Sequence, residues 1–157
     1  MVESTPLLPK HSSQFQSQQF WADFFKESQK QESFEWYSEY AELLPYLKAM
    51  LPEPTAETRL LIPGCGDSLL SEKLALEMGY KNVVSIDFEP EVIARMQKRG
   101  VAGLTYETMD ILDLKYESGS FQAIVDKGTY DAICVDYKEE TVSKLSKYLQ
   151  ESMRVLN

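Results

Sequence analysis

Four short stretches of this chain carry the residue types that can hold a small polar molecule: Gly64-Cys65-Gly66-Asp67, Asp87, Asp110 after Met109, and Asp126-Lys127-Gly128-Thr129. The first joins the apolar run Leu60-Leu61-Ile62 to an apolar helical pattern. Its two glycines let backbone pass close to a ligand, and the helix that follows aims unpaired N–H groups and a partial positive charge at the same place. Asp87 follows about twenty residues later, the position from which a carboxylate can accept hydrogen bonds from both hydroxyls of a ribose. Asp110 can take the exocyclic amine of an adenine, with Ile111 against the ring. Each acid also has a plainer reading. Asp87 precedes Glu89-Pro90-Glu91 and suits a helix N-terminus, and Asp110 alone suits a solvated loop. Their recurrence at successive strand ends favours a ligand.

The type of ligand follows from what is missing. A dinucleotide site wants G-x-G-x-x-G, but Leu69 occupies the third glycine position, and no G-x-x-x-x-G-K-[ST] exists. Cofactors with a ribose and an adenine but no phosphate fit better, with S-adenosylmethionine the leading example. No metal site is expected. Cys65 and Cys134 lie in no CxxC or Cys/His cluster, and His11 is the sole histidine.

The elements that must position these groups are visible as alternation. Residues 59–62, 83–86, 104–107 and 121–125 read as strands. Residues 68–78, 89–99 and 139–156 read as helices, the last with Val142, Leu145, Leu149 and Leu156 inward. This predicts an α/β, Rossmann-like, doubly wound parallel sheet, in which ligands bind at the carboxyl ends of the strands. Ahead of it, residues 1–13 read as a flexible tail and 14–157 as one domain. Phe20, Trp21, Phe24 and Phe25 recur at helical spacing, as core or as a lid. A second helical stripe runs over 34–51, where Pro45 predicts a kink or two shorter helices.

Bulk properties narrow the partners. A chain of 157 residues, 43% hydrophobic, can bury a core of its own. A formal charge of −9 argues against nucleic acid. No stretch reads as a membrane span or signal peptide, so no membrane partner and a cytoplasmic location are expected.

Through Phe20-Trp21, Phe34-Glu35-Trp36-Tyr37, Pro63-Gly64-Cys65-Gly66-Asp67-Ser68, Ser85-Ile86-Asp87, Met109-Asp110 and Val125-Asp126-Lys127-Gly128-Thr129-Tyr130-Asp131, the sequence resembles the class I, seven-strand S-adenosylmethionine-dependent methyltransferases. Within them it is similar to the group that modifies lysine on translation elongation factor 1-alpha. The resemblance implies that Gly64 and Gly66 underlie the methionine part of the cofactor, that Asp87 holds the ribose with Phe88 beside it, and that Asp110 and Ile111 hold the adenine. It implies Lys127 at the mouth shared by cofactor and substrate, with Trp21 and Trp36 closing over it. Asp126, Lys127 and Tyr130 are the candidate substrate-facing, catalytic residues, although Asp126 equally reads as a cap and Tyr130 as core. Two departures stand out: Asp67 where the family usually has Asn, and Phe25 where a cofactor-contacting Tyr is common. The family also continues past the last helix with a fifth strand and an antiparallel hairpin. The expectation is therefore a domain truncated after its fourth strand, ordered 3-2-1-4, with 121–125 as an unpaired apolar edge through which another chain could dimerise. The implied activity is methylation of a protein lysine. A catalytically silent cofactor-binding module and a small-molecule methyltransferase are the alternatives.

Overall fold

The computed structural model describes residues 8–28 and 33–157. The first seven residues of the expected tail lie outside these. Ser12–Gln16, which straddles its predicted boundary, forms a 3-10 turn instead of loose chain. The elements that follow are α1 (Gln18–Glu27), α2 (Tyr40–Met50), β1 (Arg59–Pro63), α3 (Leu70–Leu76), β2 (Asn82–Asp87), α4 (Pro90–Gln97), β3 (Leu104–Thr108), β4 (Ala123–Ile124), α5 (Thr129–Ile133) and α6 (Glu139–Val155).

All strand pairings are parallel and the order is β3-β2-β1-β4, as expected. Apolar runs buried on both faces suit the parallel pairing. Along β1 and β2, Leu60, Ile62 and Val83 point into a core shared with Phe24 of α1, Leu74 of α3 and Met96 of α4. The alternate residues Leu61, Val84 and Ile86 point into a second core with Tyr148 and Val155 of α6. Helices thus cover both faces, and every strand ends toward the same rim.

Four expectations need correction. Residues 34–38 are not helical, and of the two outcomes expected at Pro45 the split into two shorter helices does not occur, since α2 runs through it as a single helix. Pro45 and Ala41 are exposed, so the carbonyl that proline leaves without a donor lies on the side of the helix open to solvent. The inward face of α6 is Thr141, Tyr148 and Val155, whereas Val142 and Leu149 are 49% and 48% exposed. Polar side chains decide this face, because Thr141 donates to Asp136 and Tyr148 to Asp126 from inside the contact. A short helix, α5, follows the fourth strand without having been foreseen. Finally, β4 is only two residues long. Phe121 is fully buried and bridges to Leu156, with its N–H donated to Val155 O at 3.0 Å and its carbonyl accepting from Asn157 N at 2.9 Å. The edge predicted to be unpaired over 121–125 is therefore paired at its start.

Candidate functional site

At the carboxyl rim lies a cavity of about 360 Å³, within the range of roughly 300–1,000 Å³ usual for small-molecule pockets. Its floor is the turn after β1. Gly64 and Gly66 have φ of +53° and +51°, the left-handed region that a side chain disfavours. Both line the cavity, but protein atoms crowd the places where a Cβ would stand. At Gly64 it would meet Thr129 Oγ1 at 2.1 Å, and at Gly66 the Phe25 ring at 3.1 Å. The glycines therefore let α5 and α1 close onto the turn, as well as forming the floor.

Asp87, at the end of β2, is buried and reaches across this floor. One carboxylate oxygen accepts from Gly66 N at 2.9 Å and the other from Glu89 N at 3.0 Å. The helix-start reading is thus met, since Asp87 satisfies the start of α4, and the same side chain also tethers the glycine turn. Each oxygen retains a lone pair, and the side chain lines the cavity. Burial pushes its pKa up to about 6, against the opposing pull of the two N–H donors. Beside it stand Phe88, Asp110 and Ile111. Asp110 spends one oxygen on Leu112 N at 2.8 Å, and Ile111 is buried.

The roof is aromatic. Trp21 stacks on Phe25 with ring centroids 5.8 Å apart, and Trp36 meets Trp21 edge-on at 6.0 Å. Phe20 and Phe24 of the same helix are core, so the stripe serves as core on one side and roof on the other. Asp67 anchors this roof. It binds Arg95 at 2.7 Å and accepts from Phe34 N, while Arg95 also donates to the Phe25 carbonyl. The acid in place of the family's usual Asn is matched by that arginine.

The two sequence stretches that looked most specific bind each other. Glu35 accepts from Leu69 N at 2.7 Å, from Ser68 Oγ at 2.8 Å and from Lys127 Nζ, which also donates to Trp36 O at 3.2 Å. Lys127 and Glu35 are 11% and 13% exposed, so this ion pair is largely dry. Thr129 Oγ1 donates to Pro63 O at 2.9 Å. Asp126 accepts from Thr129 N, Tyr130 N and Tyr148 Oη, starting α5 and seating α6. Of the three candidate catalytic residues, Lys127 lines the cavity, and Asp126 and Tyr130 are not among its lining residues. Trp21, Phe25, Trp36, Gly64, Gly66, Asp87, Phe88, Asp110 and Ile111 all are.

Sequence reasoning missed Glu35, Tyr37 and Asp131 as site residues. No local signal marked Glu35, because Ser68 Oγ already accepts from Leu70 N at 3.1 Å at the helix start, and only the fold brings Glu35 to Leu69 N. Among the described residues no cluster suits a metal ion, and no helix is long and apolar enough to cross a membrane.

Residues 54–157 match a family described as a methyltransferase domain. The chain is 37% identical over 153 residues to the eEF1A lysine and N-terminal methyltransferase of Bos taurus, covering 96% of this chain and 21% of that protein. It is 36% identical to EEF1A lysine methyltransferase 4 of Mus musculus, covering 98% of this chain and 62% of that one. The fold is shared with Haemonchus contortus phospholethanolamine N-methyltransferase 2, solved with phosphomonomethylethanolamine and S-adenosylhomocysteine. The TM-score is 0.66 at 20% identity, over 96% of this chain and 34% of that one. The chain thus spans about a fifth of the length of the first relative and under two thirds of the second.

Proposed function

The chain belongs to the methyltransferase-domain family, and from that premise we propose that it binds S-adenosylmethionine and methylates a lysine amine of a protein, with translation elongation factor 1-alpha as the acceptor. The observation that carries the acceptor class is the charge of the cavity. Its two lysines are already neutralised, Lys127 by Glu35 and Lys144 by Glu140, while Asp87, Asp110 and Asp131 also line it. That excess of carboxylate suits a cationic acceptor and opposes a phosphate-bearing one.

S-adenosylmethionine, when bound, would supply an electrophilic sulfonium methyl group for in-line transfer to the neutral amine, the C–S bond breaking as S-adenosylhomocysteine leaves as the thioether. The chain's own part is to position and to exclude water. In this reading Asp87 takes the ribose hydroxyls, and Asp110 with Ile111 the adenine, supported by their lining the same cavity. Trp21, Phe25 and Trp36 cover the donor, above the floor of Gly64 and Gly66. The absence of a free cation or a third glycine at the turn leaves nothing to hold a pyrophosphate, which favours this cofactor over a dinucleotide. We assign the reaction to the cytoplasm.

Asp87 gives a pH dependence with two opposite signs. Its folded-state pKa, about 6, exceeds the ordinary 3.8, so the contribution of this group to stability is fully present below pH 3.8 and is lost as pH rises through 6. Ribose hydroxyls, as donors, select the ionised form. Cofactor affinity should therefore weaken as pH falls below 6, approaching about tenfold per pH unit. Titrations with S-adenosylhomocysteine between pH 5 and pH 8 check this, and Asp87→Asn should flatten the profile.

The reading as a whole is tested by incubating the protein with methyl-labelled S-adenosylmethionine and elongation factor 1-alpha, then mapping the label by mass spectrometry. Label on a lysine ε-nitrogen is expected. Label confined to small molecules, or none on any protein of a whole lysate, would overturn it.

A further inference from the structure

Tyr37 sits in a backbone conformation that a bulky side chain avoids. Ser38 N donates to Trp36 O at 2.9 Å, closing a three-residue turn around Tyr37, whose φ is +68°. It is the only non-glycine residue with positive φ among those described. A γ-turn of this hand is rare and strained. Strain of this kind persists only where surrounding contacts over-determine it, and it concentrates at functional sites.

Here the contacts come from the stretch after β4. Lys127 grips the turn on both sides, through Glu35 and through the Trp36 carbonyl. Gly128 leaves room for the Tyr37 ring, since a Cβ there would lie 2.9 Å from its Cε2 atom. Three residues further on, Asp131 faces the phenol. Burial, and then the Asp131 charge and hydrogen bond, push the Tyr37 pKa up. Tyr37 nevertheless remains 72% exposed, at the rim of the cavity that both residues line. Three other charged groups on this side of the fold are committed. Asp126 is held by two backbone N–H groups and Tyr148, Lys127 by Glu35, and Lys144 by Glu140. Among the described residues no cation pairs with Asp131, in a mouth whose lining also includes Trp36.

We infer that Tyr37 and Asp131 form the recognition pair for the acceptor, in which the ring and the carboxylate together receive the ammonium group of the incoming lysine. The inference rests on the lysine methyltransferase reading and deepens it by naming the residues that meet the substrate. An aromatic face beside a single carboxylate suits a primary ammonium on an aliphatic stem, since the ring attracts the cation and packs the methylenes. It offers nothing to an uncharged hydroxyl of the same size. Lys127 then acts as a positioning residue for Tyr37.

The test needs no turnover. The protein, saturated with S-adenosylhomocysteine, is titrated with n-butylammonium and separately with n-butanol, following the Trp36 indole and Ser38 amide signals by NMR. Butylammonium is expected to bind about tenfold more tightly than butanol. Asp131→Asn should abolish that preference while leaving S-adenosylhomocysteine affinity within about twofold, because its exposed side chain makes no contact on the cofactor floor. Tyr37→Gly relieves the backbone strain, so it should fold at least as well as the parent and still lose the preference. With elongation factor 1-alpha as substrate, Asp131→Asn should raise KM about tenfold at unchanged kcat, the mark of a group that binds acceptor and transition state equally. Equal binding of the two probes, or a preference surviving in Asp131→Asn, would overturn the pair. A failure of methyl transfer to any lysine, with the butylammonium preference intact, would instead count against the proposed function alone.

Discussion

Glu35→Ala should be the most destabilising single substitution in the site. The side chain satisfies three donors at once, Leu69 N at the start of α3, Ser68 Oγ and Lys127 Nζ, and the last is almost fully removed from water. Deleting the carboxylate leaves a buried ammonium without its counter-charge and a helix N–H without an acceptor. Breaking such a pair costs about 3–5 kcal/mol. At about 2–4 °C per kcal/mol for a domain of this size, the thermal midpoint should fall by about 10 °C. The pair should also show coupling. Glu35→Gln with Lys127→Met should cost clearly less than the sum of the single changes, because the orphaned charge is gone. Thermal denaturation of the four proteins decides it. Additive losses, or a midpoint within about 2 °C of the parent for Glu35→Ala, would show that the contact carries no such energy.

Gly64→Ala should weaken cofactor binding sharply while harming the fold less. The new methyl group would stand 2.1 Å from Thr129 Oγ1 and 3.1 Å from its Cβ, on a backbone with φ of +53°. The left-handed conformation alone costs an alanine about 1–2 kcal/mol. Relieving the clash means breaking the bond from Thr129 Oγ1 to Pro63 O and displacing α5, which carries Asp131 and follows Lys127 and Gly128. The floor and the mouth therefore shift together, and affinity for S-adenosylhomocysteine should drop about a hundredfold, or about 2.7 kcal/mol. Gly64→Ala combined with Thr129→Ala tests the cause, since it removes the 2.1 Å contact and keeps the strained φ. Partial recovery of affinity is expected. Full affinity in the single variant would contradict the packing argument.

The frame was legible in the sequence and its connections were not. Strand–helix alternation and apolar runs such as Leu60-Leu61-Ile62 point to a parallel sheet buried on both faces, whereas the strand order came from the family resemblance. The strand-end acids at 87 and 110 could be found from position alone. The role of Glu35 could not, because its partner Lys127 is 92 residues away, and nothing local tells a loop carboxylate that it will meet a buried ammonium. Periodicity also misled on α6. It treats Thr141 and Tyr148 as weak core candidates, whereas their hydroxyls reach Asp136 and Asp126 while their apolar bodies pack inward. The same hidden pairing changes the reading of Asp126. In sequence it is a plausible acid facing substrate. In the fold its oxygens are occupied by the N–H groups of Thr129 and Tyr130 and by Tyr148, so we propose for it a positioning role instead of contact with the acceptor.

The central claim is that this cavity is a methyl-donor pocket organised on Asp87, and calorimetric titration of the protein with S-adenosylhomocysteine at pH 7.5 tests it most directly. The account predicts one site per chain, competition by adenosine, no heat from NAD, and an affinity about a hundredfold weaker in Asp87→Ala, as expected for a buried carboxylate lost from two hydroxyl hydrogen bonds. Saturable binding of NAD, or S-adenosylhomocysteine affinity unchanged in Asp87→Ala, would contradict it.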